Sequence, residues 1–243
     1  MKSNQPFRPG PFAEQQIIKS ILRGQHPPGS SLPAERRLAQ SLGVTRPTIR
    51  EALQRLENEG WIRIRHGKAT MVNNFWKTGG LRLLGTILHH GSTLPAPIIE
   101  HLLKLRVIFT PPIACLAVEN APETIAAHLE QYTKLADEAL AFSEFDWRLQ
   151  ELMAEYSGNP VHLMLLNDFR SIFQSLATAY FRQACARHTS LGYYKNLHEA
   201  VLHNKAAVEE IVKTAMQQSI TIWKETAPAG KEGENVPMER LGR

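Results

Sequence analysis

The chain has 243 residues, with 28 Lys+Arg against 23 Asp+Glu for a formal net charge of +5, 43% hydrophobic residues, 15 Gly and 15 Pro. This balance excludes a collagen-like, low-complexity or wholly disordered polymer, and the length allows two medium domains. Two cysteines, Cys115 and Cys185, in no metal-type spacing give no sign of a disulfide framework or structural zinc, and apolar runs such as Ile113 to Val118 fall far short of the ~20 residues of a membrane span.

Charge is unevenly placed along the chain. Residues 1–76 hold 12 Lys+Arg and 5 Asp+Glu, a local 12 − 5 = +7, and the remainder holds 16 and 18, a local 16 − 18 = −2. A basic module followed by a slightly acidic one suggests a polyanion-binding domain joined to a domain with another task. The leading MKSNQPFRPG lacks the apolar core of a secretory signal, so the expected location is cytoplasmic, with no membrane partner.

In chain order, PFAEQQIIKSILR (11–23) spaces Phe12, Ile17, Ile18, Ile21 and Leu22 as an amphipathic helix that Gly24 ends. PPGSSLP breaks the chain. AERRLAQSL (34–42) makes a short second helix between Pro33 and Gly43. Thr45 is placed to cap a third helix in which Ile49, Ala52, Leu53 and Leu56 recur at i, i+3, i+4 and i+7 before Gly60. Two short helices joined through Leu42-Gly43-Val44 are a helix-turn-helix signal, spanning about 35–54. WIRIR and ATMVN then flank His66-Gly67-Lys68 and predict a strand pair closed by a tight turn. Three helices and a hairpin describe a winged helix-turn-helix domain over 1–73.

The face of the third helix opposite its apolar stripe carries Thr45, Arg46, Thr48 and Arg50. In helix-turn-helix proteins this helix start meets base edges in the major groove, where Arg reads guanine through two hydrogen bonds. Arg36 and Arg37 are placed to reach phosphates, and the wing tip to enter a neighbouring minor groove. Arg55 and Arg63 lie away from this cluster and read as ordinary surface residues. His66 fits a turn histidine or a DNA contact equally.

The stretch PPGSSLPAERRLAQSLGVTRPTIREALQRLENEGWIRIRHGKATMVNNFW resembles the N-terminal domain of the GntR superfamily of bacterial transcription regulators. With Gly67-Lys68 and Val72-Asn73-Asn74-Phe75-Trp76 it is most similar to the fatty-acid-metabolism branch of that family, from about Phe12 to Trp223. The resemblance implies that Arg36, Thr45, Arg46, Thr48, Arg50, His66 and Gly67 contact a double-stranded, pseudo-palindromic DNA operator, bound by a homodimer. Pro47 departs from the hydroxyl residue of close relatives. It is sterically acceptable in a first helical turn but loses one phosphate contact.

After a linker at 74–80, residues 81–227 show helical periodicity throughout, as in ETIAAHLEQYTKLADEALAF and PVHLMLLNDFRSIFQSLATAYF, with a break at Ser157-Gly158-Asn159-Pro160. The expectation is an all-α helical-bundle effector domain large enough for a ligand pocket, followed by a disordered tail at 228–243. The fold class is thus mainly α.

Effector domains of the wider family often hold a metal through an Asp and three His. Here Asp146 matches the Asp, but Gln150, Tyr194 and Ser219 stand at the histidine positions, and His198 and His203 share no helix face. A metal needs several converging donors, so neither metal nor cofactor is expected. The resemblance instead implies a long-chain acyl-CoA effector, with Arg106, Tyr180, Lys213, Ser219 and Trp223 at its site. Lys213 replaces an expected Arg, and Ala215-Met216 replace an expected Tyr-Gly pair. For Tyr180 and Trp223, core packing explains the residue as well as ligand contact does.

The implied function is a regulator released from DNA by acyl-CoA, repressing fatty-acid degradation genes and activating unsaturated fatty-acid synthesis genes. The alternatives are a related regulator of an organic acid, which needs the missing metal ligands, an architectural DNA binder, or an enzyme. No nucleophile elbow, Walker loop or dinucleotide fingerprint supports the last.

Overall fold

The computed structural model describes residues 8–65, 67–89, 94 and 96–226, and resolves two compact units, one before Ala96 and one from Ala96 onward. The chain is mainly α. The predicted contact His66 and the expected tail at 228–243 lie outside the described residues.

In the first unit, helix α1 (Pro9–Leu22) buries Ala13, Ile17, Ile18, Ile21 and Leu22 against helix α3 (Arg46–Asn58). Helix α2 (Glu35–Leu42) stops at Gly43, whose φ of 66° is the left-handed conformation that a side chain would strain. Thr45 then caps α3, its hydroxyl accepting the Thr48 N–H at 3.3 Å. Pro47 sits in the first turn, where its missing N–H costs nothing. Ile49, Ala52, Leu53 and Leu56 are all buried, so the sequence's i, i+3, i+4, i+7 stripe is the seam of this small core.

The wing ladder is shorter than WIRIR and ATMVN suggested. Strand β1 (Ile62–Arg63) pairs antiparallel with β2 (Met71–Val72), Ile62 opposite Val72 and Arg63 opposite Met71. Beyond Arg63 the ladder yields to a side chain, because the Glu57 carboxylate takes the Ile64 N–H at 2.6 Å. The other edge of β2 pairs with the segment that the sequence showed only as a break: Gly29 N–H donates to the Val72 carbonyl, Val72 N–H to Ser30, and Leu32 N–H to Thr70, each at 2.8 Å.

The connection expected at 74–80 is not a free linker. Phe75–Thr78 forms a helical turn, α4, whose Phe75 is buried with its ring 5.0 Å from that of Trp61. The Asn73 amide donates to the carbonyls of Gly60 (3.1 Å) and Ile62 (3.0 Å), which fastens this turn to the base of the wing. Helix α5 (Leu81–His89) follows and belongs to the same unit.

The second unit is a helical bundle: α6 (Ala96–Asn120), α7 (Pro122–Leu129), α8 (Ala139–Tyr156), α9 (Pro160–Phe181), α10 (Ala184–His203) and α11 (Val208–Thr226). Helix α6 packs on α8 and α11, α8 on α9, and α10 on α7 and α11. Helix α6 is, by length and composition alone, apolar enough to cross a membrane, which the short runs in the sequence did not suggest; such helices also serve as bundle cores, and Ala114, Ala117 and Val118 are buried here. Residues 123–142, read as one periodic segment, divide into α7, a 3₁₀ turn at Glu130–Lys134 and the start of α8. The break at 157–160 is as expected, with Gly158 at φ 76° and Asn159 Oδ1 accepting the Val161 N–H at 3.0 Å.

Candidate functional site

Two clusters carry the chemistry, one in each unit. In the first, the start of α3 presents Arg46, Thr45 and Arg50 to solvent, with Thr48 half-buried beside them. Thr45 and Thr48 share a hydrogen bond between their hydroxyls at 2.8 Å, so the cap and the neighbouring side chain are set together. Arg36 is exposed on α2, and Gly67 is exposed in the wing turn at φ 70°, between exposed Arg65 and Lys68.

Arg50 is not a loose side chain. Its Nε donates to Glu35 Oε1 at 3.3 Å and its Nη2 to Glu35 Oε2 at 2.9 Å, a two-pronged pairing between α3 and the first residue of α2. Two of the five guanidinium N–H groups are engaged and three remain for a partner. Arg55, taken from the sequence as an ordinary surface residue, instead pairs with Glu14 at 2.7 Å and ties α3 to α1.

The second cluster is built on the buried carboxylate of Asp146 in α8. The Tyr194 hydroxyl of α10 donates to Oδ1 at 3.2 Å, and Arg106 Nη2 of α6 lies 3.7 Å from Oδ2. Burial pushes the Asp146 carboxyl above the usual carboxylate range, against the opposing pull of Arg106 and Tyr194. Burial likewise raises the phenols of Tyr180, Tyr193 and Tyr194, and the Asp146 charge adds to each shift, so all three are neutral donors at any physiological pH. The Arg106 guanidinium also lies 5.9 Å from the centroid of Phe173, which packs on Trp147. Two buried polar groups around this carboxylate, Tyr193 OH and Gln150 Nε2, have no hydrogen-bond partner among the described residues.

The predicted effector residues divide between this cluster and α11. Arg106 and Tyr180 act electrostatically on each other beside Asp146. On α11, Ser219 is buried and donates to its own helix at the Met216 carbonyl (2.6 Å), whereas Lys213 is exposed. Trp223 is half-buried, and its indole N–H is enclosed without a partner among the described residues. Met216 is packed into the bundle core, and Ala215 lies against it. Sequence reasoning missed Glu35, Tyr193 and Phe173 as members of these sites; the adjacent Tyr193 and Tyr194 are the one local feature that could have pointed to this cluster. Among the described residues, no three or more His, Cys, Asp or Glu side chains converge as a metal site would require.

The order of these units, a winged helix-turn-helix followed by a bundle, recurs in known proteins. Residues 11–72 match the model of the bacterial regulatory proteins of the gntR family, and residues 73–229 match that of the FadR C-terminal domain. The fatty acid metabolism regulator protein of Shewanella pealeana is 39% identical over 216 residues, covering 88% of this chain and 90% of the relative. That of Klebsiella pneumoniae is 39% identical over 218 residues, with the same coverage. A solved structure of Lar, which controls expression of the Listeria monocytogenes agr system, superposes with a TM-score of 0.64 at 14% identity, covering 92% of this chain and all of that one, a likeness of fold alone. The chain belongs to the GntR family of bacterial regulatory proteins, transcription regulators rather than enzymes, and within it to the branch that carries the FadR C-terminal domain.

Proposed function

We propose that this protein is a homodimeric regulator of fatty-acid metabolism that binds a pseudo-palindromic operator and is released from it by long-chain acyl-CoA. Two copies of α3 reading half-sites about one helical turn apart make such an operator the natural target. Arg46 and Arg50 read bases, Thr45, Thr48 and Arg36 fix the helix on phosphates, and His66 and Gly67 bring the wing to the minor groove. The proposal includes repression of fatty-acid degradation genes and activation of unsaturated fatty-acid synthesis genes, as the sequence resemblance implies; the relatives' names support the broader role in fatty-acid metabolism.

The observation that carries the ligand half is the Asp146 cluster, where a cation and three neutral phenols surround one carboxylate, and one of those phenols, Tyr193, together with the buried Gln150 amide one turn along α8, has no partner among the described residues. Buried polar groups without partners cost stability unless a partner arrives, which suits a site completed by a ligand. Arg106 supplies charge for the phosphates, Tyr180 and Ser219 hydrogen bonds, and Trp223 an indole N–H; Lys213, exposed on α11, meets the outer phosphates. The ligand shifts the protein toward its released form only by its difference in affinity for the two forms.

The decisive experiment is a DNA-binding titration on a fatty-acid-gene promoter fragment, with long-chain acyl-CoA, free fatty acid or neither. Release by acyl-CoA alone is the expected result. Binding that ignores acyl-CoA would retain the DNA-binding half and discard the effector, with Met216 and Lys213 the first residues to revert.

A further inference from the structure

Resting on the reading of Arg50 as a base contact, we infer that Glu35 sets the DNA specificity of this protein by positioning the Arg50 guanidinium. The two-pronged pairing joins the first residue of α2 to the second turn of α3, with Glu35 about one-third exposed and Arg50 about two-thirds. An unrestrained arginine on an exposed helix face samples many rotamers and neutralises whichever phosphate is nearest. Held through Nε and Nη2, the same group has one orientation, and its three free N–H bonds point away from the carboxylate as a pre-formed donor set for a base edge.

Charge carries the inference further than orientation does. Paired with Glu35, Arg50 adds no net positive charge to the recognition surface, so it contributes little to sequence-independent attraction. Glu35 also sets a carboxylate beside the recognition helix, which disfavours any pose that presses phosphates against this corner. The positioning residue thus exchanges non-specific affinity for discrimination. A structural role through the helix dipole is also open to an acidic residue in the first turn of α2, and it makes a different prediction.

The test is a double-mutant cycle on the full chain with Glu35→Gln, Arg50→Ala and both, using an operator selected by the wild type from a randomised duplex library and a scrambled duplex of the same composition. Glu35→Gln should lower the operator-to-scrambled preference about tenfold. It should also tighten binding to scrambled DNA, with the slope of log K against log salt steeper by about 0.9, one newly freed phosphate contact. In the Arg50→Ala background the same change should leave the operator-to-scrambled preference unaltered, because removing the then unpaired carboxylate tightens binding to both duplexes alike. An unchanged preference in Glu35→Gln, or an equal effect with Arg50 absent, would overturn the role of Glu35. A wild type that selects no sequence would remove Arg50 as a base reader, and the role of Glu35 with it.

Discussion

Replacing Arg106 by Met keeps much of the aliphatic stem and removes the guanidinium, which lies 3.7 Å from Asp146 and 5.9 Å from the centroid of Phe173. The buried carboxylate is then left with the Tyr194 hydroxyl as its remaining partner. Breaking a buried pair by deleting one member costs about 3–5 kcal/mol. The protein has an escape, which is to protonate Asp146, and its cost is set by pH. At the ordinary pKa of 3.8, taking up the proton would cost about 4 kcal/mol at pH 7 and about 2 kcal/mol at pH 5, and because burial raises the Asp146 pKa these are upper limits. The penalty of Arg106→Met therefore has a ceiling that falls with pH, and urea unfolding of variant and wild type should show a loss roughly 1–2 kcal/mol larger at pH 7 than at pH 5. Adding Asp146→Asn should recover most of the loss, because no charge then remains buried. A loss equal at both pH values, or unrelieved by Asp146→Asn, would mean that Arg106 acts through packing on Phe173 and that the ion pair contributes little.

Thr45→Ala should cost about 1 kcal/mol of stability through loss of the α3 cap, with Thr45→Ser close to wild type in thermal unfolding. His128 stacks on Phe145 at 4.3 Å, and burial lowers its pKa from 6.5 against the opposing hydrogen bond to the Phe145 carbonyl. The unfolded chain therefore takes up this proton first, and stability is lost as pH falls below about 6.5; His128→Gln should flatten the Tm-against-pH curve there, and an unchanged slope would exonerate His128. Trp223→Ala should blunt acyl-CoA release while leaving unliganded DNA binding intact; equal loss of both in the same titration would assign Trp223 to the core.

What was legible in the sequence was what is decided locally. Gly43 and the Thr45 cap bracket the turn between α2 and α3, and each acts within four residues of its own position. The bend between α7 and α8 was hidden because Leu129, Tyr132 and Leu135 keep helical spacing across it, while the backbone tightens into a 3₁₀ turn. The wing's third edge was hidden for another reason: Gly29 to Leu32 owe their extended pairing to β2, some forty residues on, and their own Pro, Gly and Ser content announces only a break. The site residues divide in the same way. Arg46 and Arg50 stood out by their spacing, whereas the pairings of Arg50 with Glu35 and of Arg106 with Asp146 join residues distant in sequence and carry no local signature.

The Arg106–Asp146 pair also limits what a phosphate-bearing effector can do. The buried Asp146 carboxylate faces an arginine of the same bundle, which offsets part of the cost of burying its charge. An anionic ligand that engages Arg106 competes with Asp146 for the same guanidinium. Whatever share it takes leaves the buried carboxylate less well compensated and moves its pKa further up, in the direction burial already pushes it. Ligand binding should therefore be accompanied by proton uptake at Asp146, and affinity for acyl-CoA should fall as pH rises through the range where that proton is lost. Calorimetric titrations in two buffers of different ionisation enthalpy measure this uptake directly. Asp146→Asn should abolish it and tighten binding, since Arg106 is then free before the ligand arrives. Proton uptake that persists in Asp146→Asn would place the titrating group elsewhere and separate the effector from this pair.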